Sequence, residues 1–121
     1  MGKFLIRTVP SGVKFDLKAP NGQPILTSEV YCTLAACRKG IESVRRSVPL
    51  APVEDQTQPG KALSHPKFEL YRDQAQNYRF RLKARNGAII AVSDAYTAKA
   101  SALAGIESIQ KNAPEAEILE E

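Results

Sequence analysis

Basic side chains alternate with apolar ones along one predicted strand of this 121-residue chain. Side chains at every second position of a strand share one face, so these groups line a single surface. A row of guanidinium and ammonium groups on an open sheet can bind phosphates, which predicts a weak polyanion-binding surface. The residues predicted to form it are Arg79, Arg81, Lys83 and Arg85, with Lys14 and Lys18 on the corresponding strand of an earlier segment.

The same pattern has a simpler interpretation, in which the charges keep the solvent-exposed face of the strand soluble and deter pairing at the sheet edge. Three acidic residues, Asp16, Glu69 and Asp73, interrupt the positive surface. Base stacking would need an exposed aromatic ring, for which Tyr71 is the candidate by alternation. The formal net charge of +4 favours anionic partners without identifying one.

Residues for catalysis are scarce. The single histidine, His65, precedes Pro66 in a predicted linker, so no Ser-His-Asp or Cys-His set can be assembled. No glycine-rich phosphate loop is present in the sequence. We therefore predict that the chain is not an enzyme, and we predict no catalytic residues, no metal ligands and no cofactor.

Two cysteines, Cys32 and Cys37, lie five residues apart in a predicted helical segment. Five residues turn a helix by about 500°, so their side chains point to different faces and a disulfide is not expected. Thr97 and Ala102 occupy the corresponding positions later in the chain. Cys37 is therefore predicted to be a small core residue, and Cys32 to lie near a helix start.

Two glutamates, Glu42 and Glu107, occupy the same place in matching Gly-Ile-Glu-Ser segments. A paired-carboxylate site across a two-fold axis is one hypothesis. The favoured interpretation is an ordinary surface ion pair with a nearby lysine or arginine on the same helix.

The chain repeats itself, with an offset of 65 between matching residues from residue 15 to residue 49 and of 64 before that. Repeat one covers 2–55, a linker covers 56–66, and repeat two covers 67–121. A unit of roughly 60 residues buries too little surface to be stable alone. We therefore predict a single domain, residues 1–121, with one shared core.

Each repeat is predicted to contain three strands, a helix and a short fourth strand or tail. Residues 3–8 and 67–72 form the first strands, and residues 24–28 and 89–93 the third. The second strands end at Asn21-Gly22 and Asn86-Gly87, a pattern typical of tight type I′ hairpins. The tails are residues 51–55 and 116–120.

The predicted helices cover residues 33–46 and 97–111. Thr33 and Thr97 are suited to cap their starts. Glycines inside the helices, Gly40 and Gly105, predict the close approach of a backbone, most simply where a helix crosses another element. In the second helix the predicted apolar stripe is Ala100, Leu103, Ile106 and Ile109.

These elements predict an α+β fold, a two-layer sandwich with a mainly antiparallel sheet and two helices on one face. Two tandem strand-strand-strand-helix(-strand) repeats should be related by a pseudo-two-fold axis. The strand order stays open, because the units could meet edge to edge or exchange their terminal strands.

The combined pattern resembles the YegP-like family, a bacterial domain family of unknown function. The resemblance is carried by Tyr78 to Gly87, by Ser93 to Thr97, by Gly105 to Ile109, and by their matches in repeat one. It implies an α+β fold of repeated units, found in tandem or as dimers of single units. It implies no catalytic residues, because the family has no established mechanism.

We expect a cytoplasmic, monomeric protein without a membrane span or signal peptide. Its function is unknown, and the favoured prediction is a non-enzymatic binding or interaction module that acts through the sheet face or edge. The partner would be an unknown protein or a weak polyanion. A small-molecule site between the repeats is a further alternative.

Overall fold

A single eight-stranded sheet runs through both repeats in the computed structural model, which describes residues 2–121. The strand order is β4-β5-β6-β7-β3-β2-β1-β8. The strands are β1 (Lys3–Val9), β2 (Gly12–Lys18), β3 (Pro24–Ser28), β4 (Val53–Asp55), β5 (Lys67–Arg72), β6 (Tyr78–Lys83), β7 (Ile89–Val92) and β8 (Glu117–Glu120). The helices are α1 (Leu34–Ser47) and α2 (Lys99–Asn112), and a short 3₁₀ turn, Ala113–Glu115, follows α2.

The two repeats meet edge to edge at the centre of the sheet, where β3 and β7 pair antiparallel. Thr27 lies opposite Val92, and these residues differ by 65 positions, which is the repeat offset. The pseudo-two-fold axis therefore passes between them.

The repeats also exchange their terminal strands. β4 follows α1 of repeat one but pairs parallel with β5 of repeat two. β8 follows α2 of repeat two but pairs parallel with β1 of repeat one. Edge-to-edge pairing of the repeats and exchange of their terminal strands, which the sequence left as alternatives, thus occur together. The sheet is antiparallel except at its two ends, and the predicted α+β fold is confirmed.

Both helices pack on one face of the sheet and span the junction between repeats. α1 contacts β2 of its own repeat and β7 of the other, and α2 contacts β6 and β3. Between the layers lies one hydrophobic core with contributions from both repeats. Its largest fully buried side chains include four phenylalanines, namely Phe4, Phe15, Phe68 and Phe80.

A tyrosine in each repeat explains the glycine inside each helix. The Tyr31 ring stacks on Phe15 with centroids 6.3 Å apart, and its hydroxyl lies against Gly40. Tyr96 stacks on Phe80 at 6.2 Å beside Gly105 in the same way. The predicted close approach of a backbone is therefore wrong, because the atoms nearest each glycine belong to side chains.

Several local predictions are wrong. Within each Asn-Gly turn the glycine has positive φ and the asparagine does not, and Gly22 N donates to Ala19 O at 2.8 Å. This is a type I turn followed by a left-handed glycine, with a bulge at Leu17/Lys18, and not a type I′ turn. Pro20 at the second turn position favours it.

The second helix also differs from its prediction. Ala98 precedes it without a side-chain cap, whereas Thr33 does cap α1 by accepting from Ala36 N at 3.1 Å. Ala100 and Leu103 are exposed, and the buried stripe instead follows Ala102, Gly105, Ile106, Ile109 and Ala113.

We predict that Gly40→Ala destabilises the protein by about 1–3 kcal/mol, although alanine is the better helix former. A Cβ at Gly40 would lie 2.6 Å from Tyr31 Cζ. Gly105→Ala should cost less, because its Cβ would lie 2.8 Å from the Tyr96 hydroxyl. Adding Tyr96→Phe to the Gly105→Ala variant removes that hydroxyl and should recover part of the lost stability. Chemical denaturation measures all three variants.

Gly60→Ala is the matched control, because a Cβ there meets nothing within 4 Å. Its stability should change by less than about 0.5 kcal/mol. A Gly40→Ala variant as stable as the unmodified chain would contradict the packing described for Tyr31.

Candidate functional site

The sheet face opposite the helices carries most of the predicted binding residues, and we call it the open face. Strand alternation places Phe4, Phe15 and Phe80 toward the helices, so their neighbours in sequence point the other way. On its four longest strands, the residues of the open face are Lys3, Leu5, Arg7, Lys14, Asp16 and Lys18 in repeat one, and Lys67, Glu69, Tyr71, Arg79, Arg81 and Lys83 in repeat two.

A buried charged cluster lies at the repeat-two end of the open face. Lys67 Nζ lies 2.8 Å from Glu54 Oε1 and 3.3 Å from Glu69 Oε2. All three residues are buried. Glu54 comes from the exchanged strand β4, so the cluster ties the end of repeat one to the start of repeat two.

The linker covers this cluster. Leu63 N donates to Glu54 Oε1 at 2.5 Å, and Lys67 Nζ donates to Leu63 O at 3.1 Å. Gln56 Nε2 donates to the other Glu54 oxygen at 2.6 Å. These donors, with Lys67 the strongest, lower the pKa of Glu54 to about 2. The bond to Glu54 likewise raises the pKa of Lys67.

The predicted basic stripe of repeat two is neutralised by carboxylates. Arg79 Nε lies 2.7 Å from Asp73 and Arg81 Nε lies 2.6 Å from Glu69. Lys83 Nζ lies 3.4 Å from Glu69. The Arg81 guanidinium also covers the Tyr71 ring at 4.6 Å, so that ring is not presented for base stacking.

These cations lower the pKa of the carboxylates that they contact. The bond from Arg79 lowers the pKa of Asp73. Burial alone would raise the pKa of Glu69, but Arg81 and Lys67 outweigh it and the net shift is downward. The repeat-two half of the open face is therefore an ion network in which each of four cations contacts at least one of three carboxylates.

The repeat-one half is charged differently. Asp16 is held by Arg7 Nε at 2.8 Å and by the Thr27 hydroxyl at 2.9 Å. Within the part of the chain that the structure describes, Lys3, Lys14 and Lys18 form no ion pair. These three lysines, together with the paired Arg7 beside them, form a basic surface that we call the repeat-one lysine face.

The predicted residues thus separate into three groups. Lys14 and Lys18 lie on the repeat-one lysine face, while Arg79, Arg81 and Lys83 are paired in the other half. Arg85 does not share their face as predicted, because β6 ends at Lys83 and Arg85 lies in the following turn. There it lines a groove beside the end of α1.

Sequence reasoning missed Lys3 and Arg7. The signal was present in the repeat alignment, since Lys3 matches Lys67 but Leu5 matches Glu69. In each copy a lysine begins the first strand, but a carboxylate follows two residues later only in repeat two.

The sheet edges are poor templates for a partner strand. β4 and β8 have three and four residues, and both carry carboxylates. Short, charged edge strands deter pairing. The alternative of a protein partner that adds a strand therefore has little geometric support.

The remaining candidates stay apart. Glu42 accepts from Arg45 Nη1 at 2.9 Å and is exposed on α1, and Glu107 is exposed on α2. His65 and Cys32 are exposed. Cys37 is buried and Cys32 lies two residues before α1, as predicted. In residues 2–121, no three His, Cys, Asp or Glu side chains are grouped to hold a metal ion.

The profile of a domain of unknown function, DUF1508, matches residues 12–55 and 73–120. A UPF0339 protein of Treponema denticola is 57% identical over 54 residues, which are 45% of this chain and 93% of that protein. A UPF0339 protein from the ptx operon 5′ region of Stutzerimonas stutzeri is 35% identical over 120 residues, 98% of this chain and 96% of that one.

Solved structures agree with the fold. The solution NMR structure of yegP from E. coli, a protein of unknown function, superposes with a TM-score of 0.81 at 30% identity. The match covers 98% of this chain and 91% of that one. Within the described residues, neither helix is long and apolar enough to cross a membrane.

We predict that Glu54→Gln lowers stability near neutral pH and flattens the acid limb of the stability curve. The folded pKa of about 2 lies below the ordinary 4.5, so this stabilisation is present above pH 4.5 and is lost as the pH falls toward 2. Thermal denaturation at a series of pH values measures both effects.

Glu107→Gln serves as the control, because Glu107 is exposed and its replacement should leave the curve unchanged. An acid limb that is equally steep in Glu54→Gln and in the unmodified chain would show that Glu54 is not held as described.

Proposed function

The chain belongs to the DUF1508 family of unknown function, and from that premise we propose that it is a non-enzymatic module that binds polyanions weakly through the repeat-one lysine face. Its resemblance to the YegP-like family is confirmed by the yegP match. The family carries no activity that could be transferred, so the proposal rests on the charges of this chain.

The observation that carries the proposal is two pairs of like charges directly opposite one another. In the register of β1 and β2, Lys3 lies opposite Lys18 and Arg7 lies opposite Lys14. Like charges at directly opposed positions destabilise a sheet. Asp16 offsets one of the four cations, since its carboxylate is held by Arg7 and Thr27.

At the matching positions of repeat two, carboxylates lie beside the opposed lysines. There Lys67 lies opposite Lys83, and Glu54 and Glu69 neutralise them. In repeat one the residues that match Glu54 and Glu69 are Leu119 and Leu5. An external anion would supply the missing negative charge.

One acid lies near this surface. Glu117 of β8 is opposite Lys3, but the two form no ion pair among the residues described. With Asp16 already engaged, the surface retains a positive excess.

The partner that fits is a flexible polyanion whose charges, and not its bases, are contacted. Arg7 stands where repeat two has Tyr71, so among residues 2–121 no aromatic ring offers a stacking platform on this half. Three free lysines correspond to about three phosphate contacts, which makes the binding weak and strongly dependent on salt.

The non-enzymatic part of the proposal is supported by the placement of the titratable groups. The carboxylates with a lowered pKa are each engaged by a basic side chain, and they are Glu54, Asp55, Glu69 and Asp73. The single histidine lies in the linker. We also propose a cytoplasmic location, which the two free cysteines support, and a monomer, since one chain completes its own strand exchange.

The experiment titrates a fluorescent single-stranded oligodeoxythymidylate and follows its anisotropy at several salt concentrations. We predict a dissociation constant between about 10⁻⁶ and 10⁻⁴ M and a slope of log K against log salt of about −2. Lys14→Gln combined with Lys18→Gln should reduce the slope to about −0.7.

The matched control is Arg79→Gln combined with Lys83→Gln, which removes the same charge at the equivalent positions of repeat two. Because those side chains already contact carboxylates, binding should change little. Equal loss in the two double variants would show that only net charge matters, and unchanged binding in both would end the proposal.

A further inference from the structure

A groove of about 620 Å³ lies between the end of α1, the start of β5 and the turn after β6. It is separate from the repeat-one lysine face. Its volume falls in the range of small-molecule sites. Both repeats contribute to it: Arg45, Arg46 and Leu50 come from the first, and Pro66 and Arg85 from the second or its approach.

The groove is positively charged and holds no lining carboxylate among the described residues. Arg46 and Arg85 are exposed and form no ion pair within residues 2–121. Arg45 is fixed differently: it donates to Glu42 at 2.9 Å and to Ala116 O, and its guanidinium lies 5.5 Å from the Phe4 ring centre. Arg45 Nε is buried and has no hydrogen-bond partner among those residues.

Apolar side chains form the rest of the lining. Leu50 is 65% exposed, which is the highest value among the exposed large hydrophobic residues described. Pro49, Pro66 and Ala84 lie around the same space. Ser43 and Ser47 are one helical turn apart on the wall, so their hydroxyls can supply neutral donors.

The helix dipole explains only part of this arrangement. Basic residues in the last turn of a helix are common, and Lys111 holds the place of Arg46 at the end of α2. Arg85 has no such role, because it lies in the turn after β6. The position that matches Arg85 in repeat one is Pro20.

The equivalent place at the other end of the molecule is built differently. Ser47 is matched by Asn112, whose Oδ1 accepts from Gly2 N at 3.0 Å, and Leu50 is matched by Glu115. No guanidinium is present at the residues that match the arginines. The groove is therefore a feature of one end, not a by-product of the repeated fold.

We propose that this groove binds a small organic anion, in which an oxyanion headgroup is joined to an apolar body. Arg46 and Arg85 hold the headgroup by charge-assisted hydrogen bonds, and Leu50 with the two prolines contacts the body. A bare inorganic anion would leave the apolar lining uncovered.

The experiment is a ¹H–¹⁵N NMR titration of the full chain with phenyl phosphate, benzoate, inorganic phosphate and benzyl alcohol. We expect saturable shifts at the amides of Ser47, Val48 and Leu50 and of residues 84–87, with a dissociation constant on the order of 1 mM for the better aromatic anion. If phenyl phosphate binds more tightly than benzoate, the preferred headgroup is phosphate, and the opposite order identifies carboxylate. Inorganic phosphate and benzyl alcohol should each bind at least about tenfold more weakly.

Arg85→Gln should weaken the better probe by about tenfold or more, and Arg46→Gln should do the same. Lys111→Gln, at the other end, is the matched control and should leave binding unchanged. The proposal is overturned if neither aromatic anion saturates, if both arginine variants bind as the unmodified chain does, or if the shifts map to the repeat-one lysine face.

Discussion

Reciprocal exchange of the terminal strands is the constraint on which the rest of this structure depends. β4 and β8 are too short to persist alone, and each completes the sheet of the other repeat. Val53 and Ile118 pack against the shared core. Each exchanged strand is also tied to the helix of the receiving repeat, through Asp55 with Lys99 and Glu120 with Arg38. Because neither repeat can finish its own sheet, the two must fold as one unit.

This shared architecture separates positions that hold the fold from positions free to diverge. The stacked rings, the glycines beside them and Ser28 and Ser93, which each accept from the backbone N–H of a phenylalanine at 2.9 Å, are the same in both copies. The open face and the ends of the helices are not the same. Repeat one has Leu5 where repeat two has Glu69, so the repeat-one half of the open face lacks that carboxylate. Repeat two has Arg85 where repeat one has Pro20, so only one end of the molecule carries this arginine. The proposed binding surfaces lie where the copies differ.

Local patterns predicted most of the fold, and contacts distant in sequence account for most of the failures. Alternation through Tyr78, Phe80 and Leu82 was enough for the strand and its buried side, because a period of two is a local property. The Asn-Gly pattern fits two turn types, and the same bulged type I turn forms after Pro20 and after Arg85, so the residue before the asparagine does not decide between them. In α2 a strict spacing of three placed Leu103 on the predicted buried stripe. The helix in fact buries Ala102 and Gly105 next to Ile106, and Leu103 is exposed. The ion network could not be predicted, since Glu54 meets Lys67 only when β4 crosses to the other repeat.

The central claim is tested most directly by dividing the chain in the linker between Pro59 and Gly60 and studying the two pieces. The account predicts that neither piece unfolds cooperatively as a monomer, and that mixing them restores the ¹H–¹⁵N spectrum of the intact chain in a one-to-one complex. A single piece that is monomeric, unfolds cooperatively and matches the thermal stability of the whole chain would contradict it.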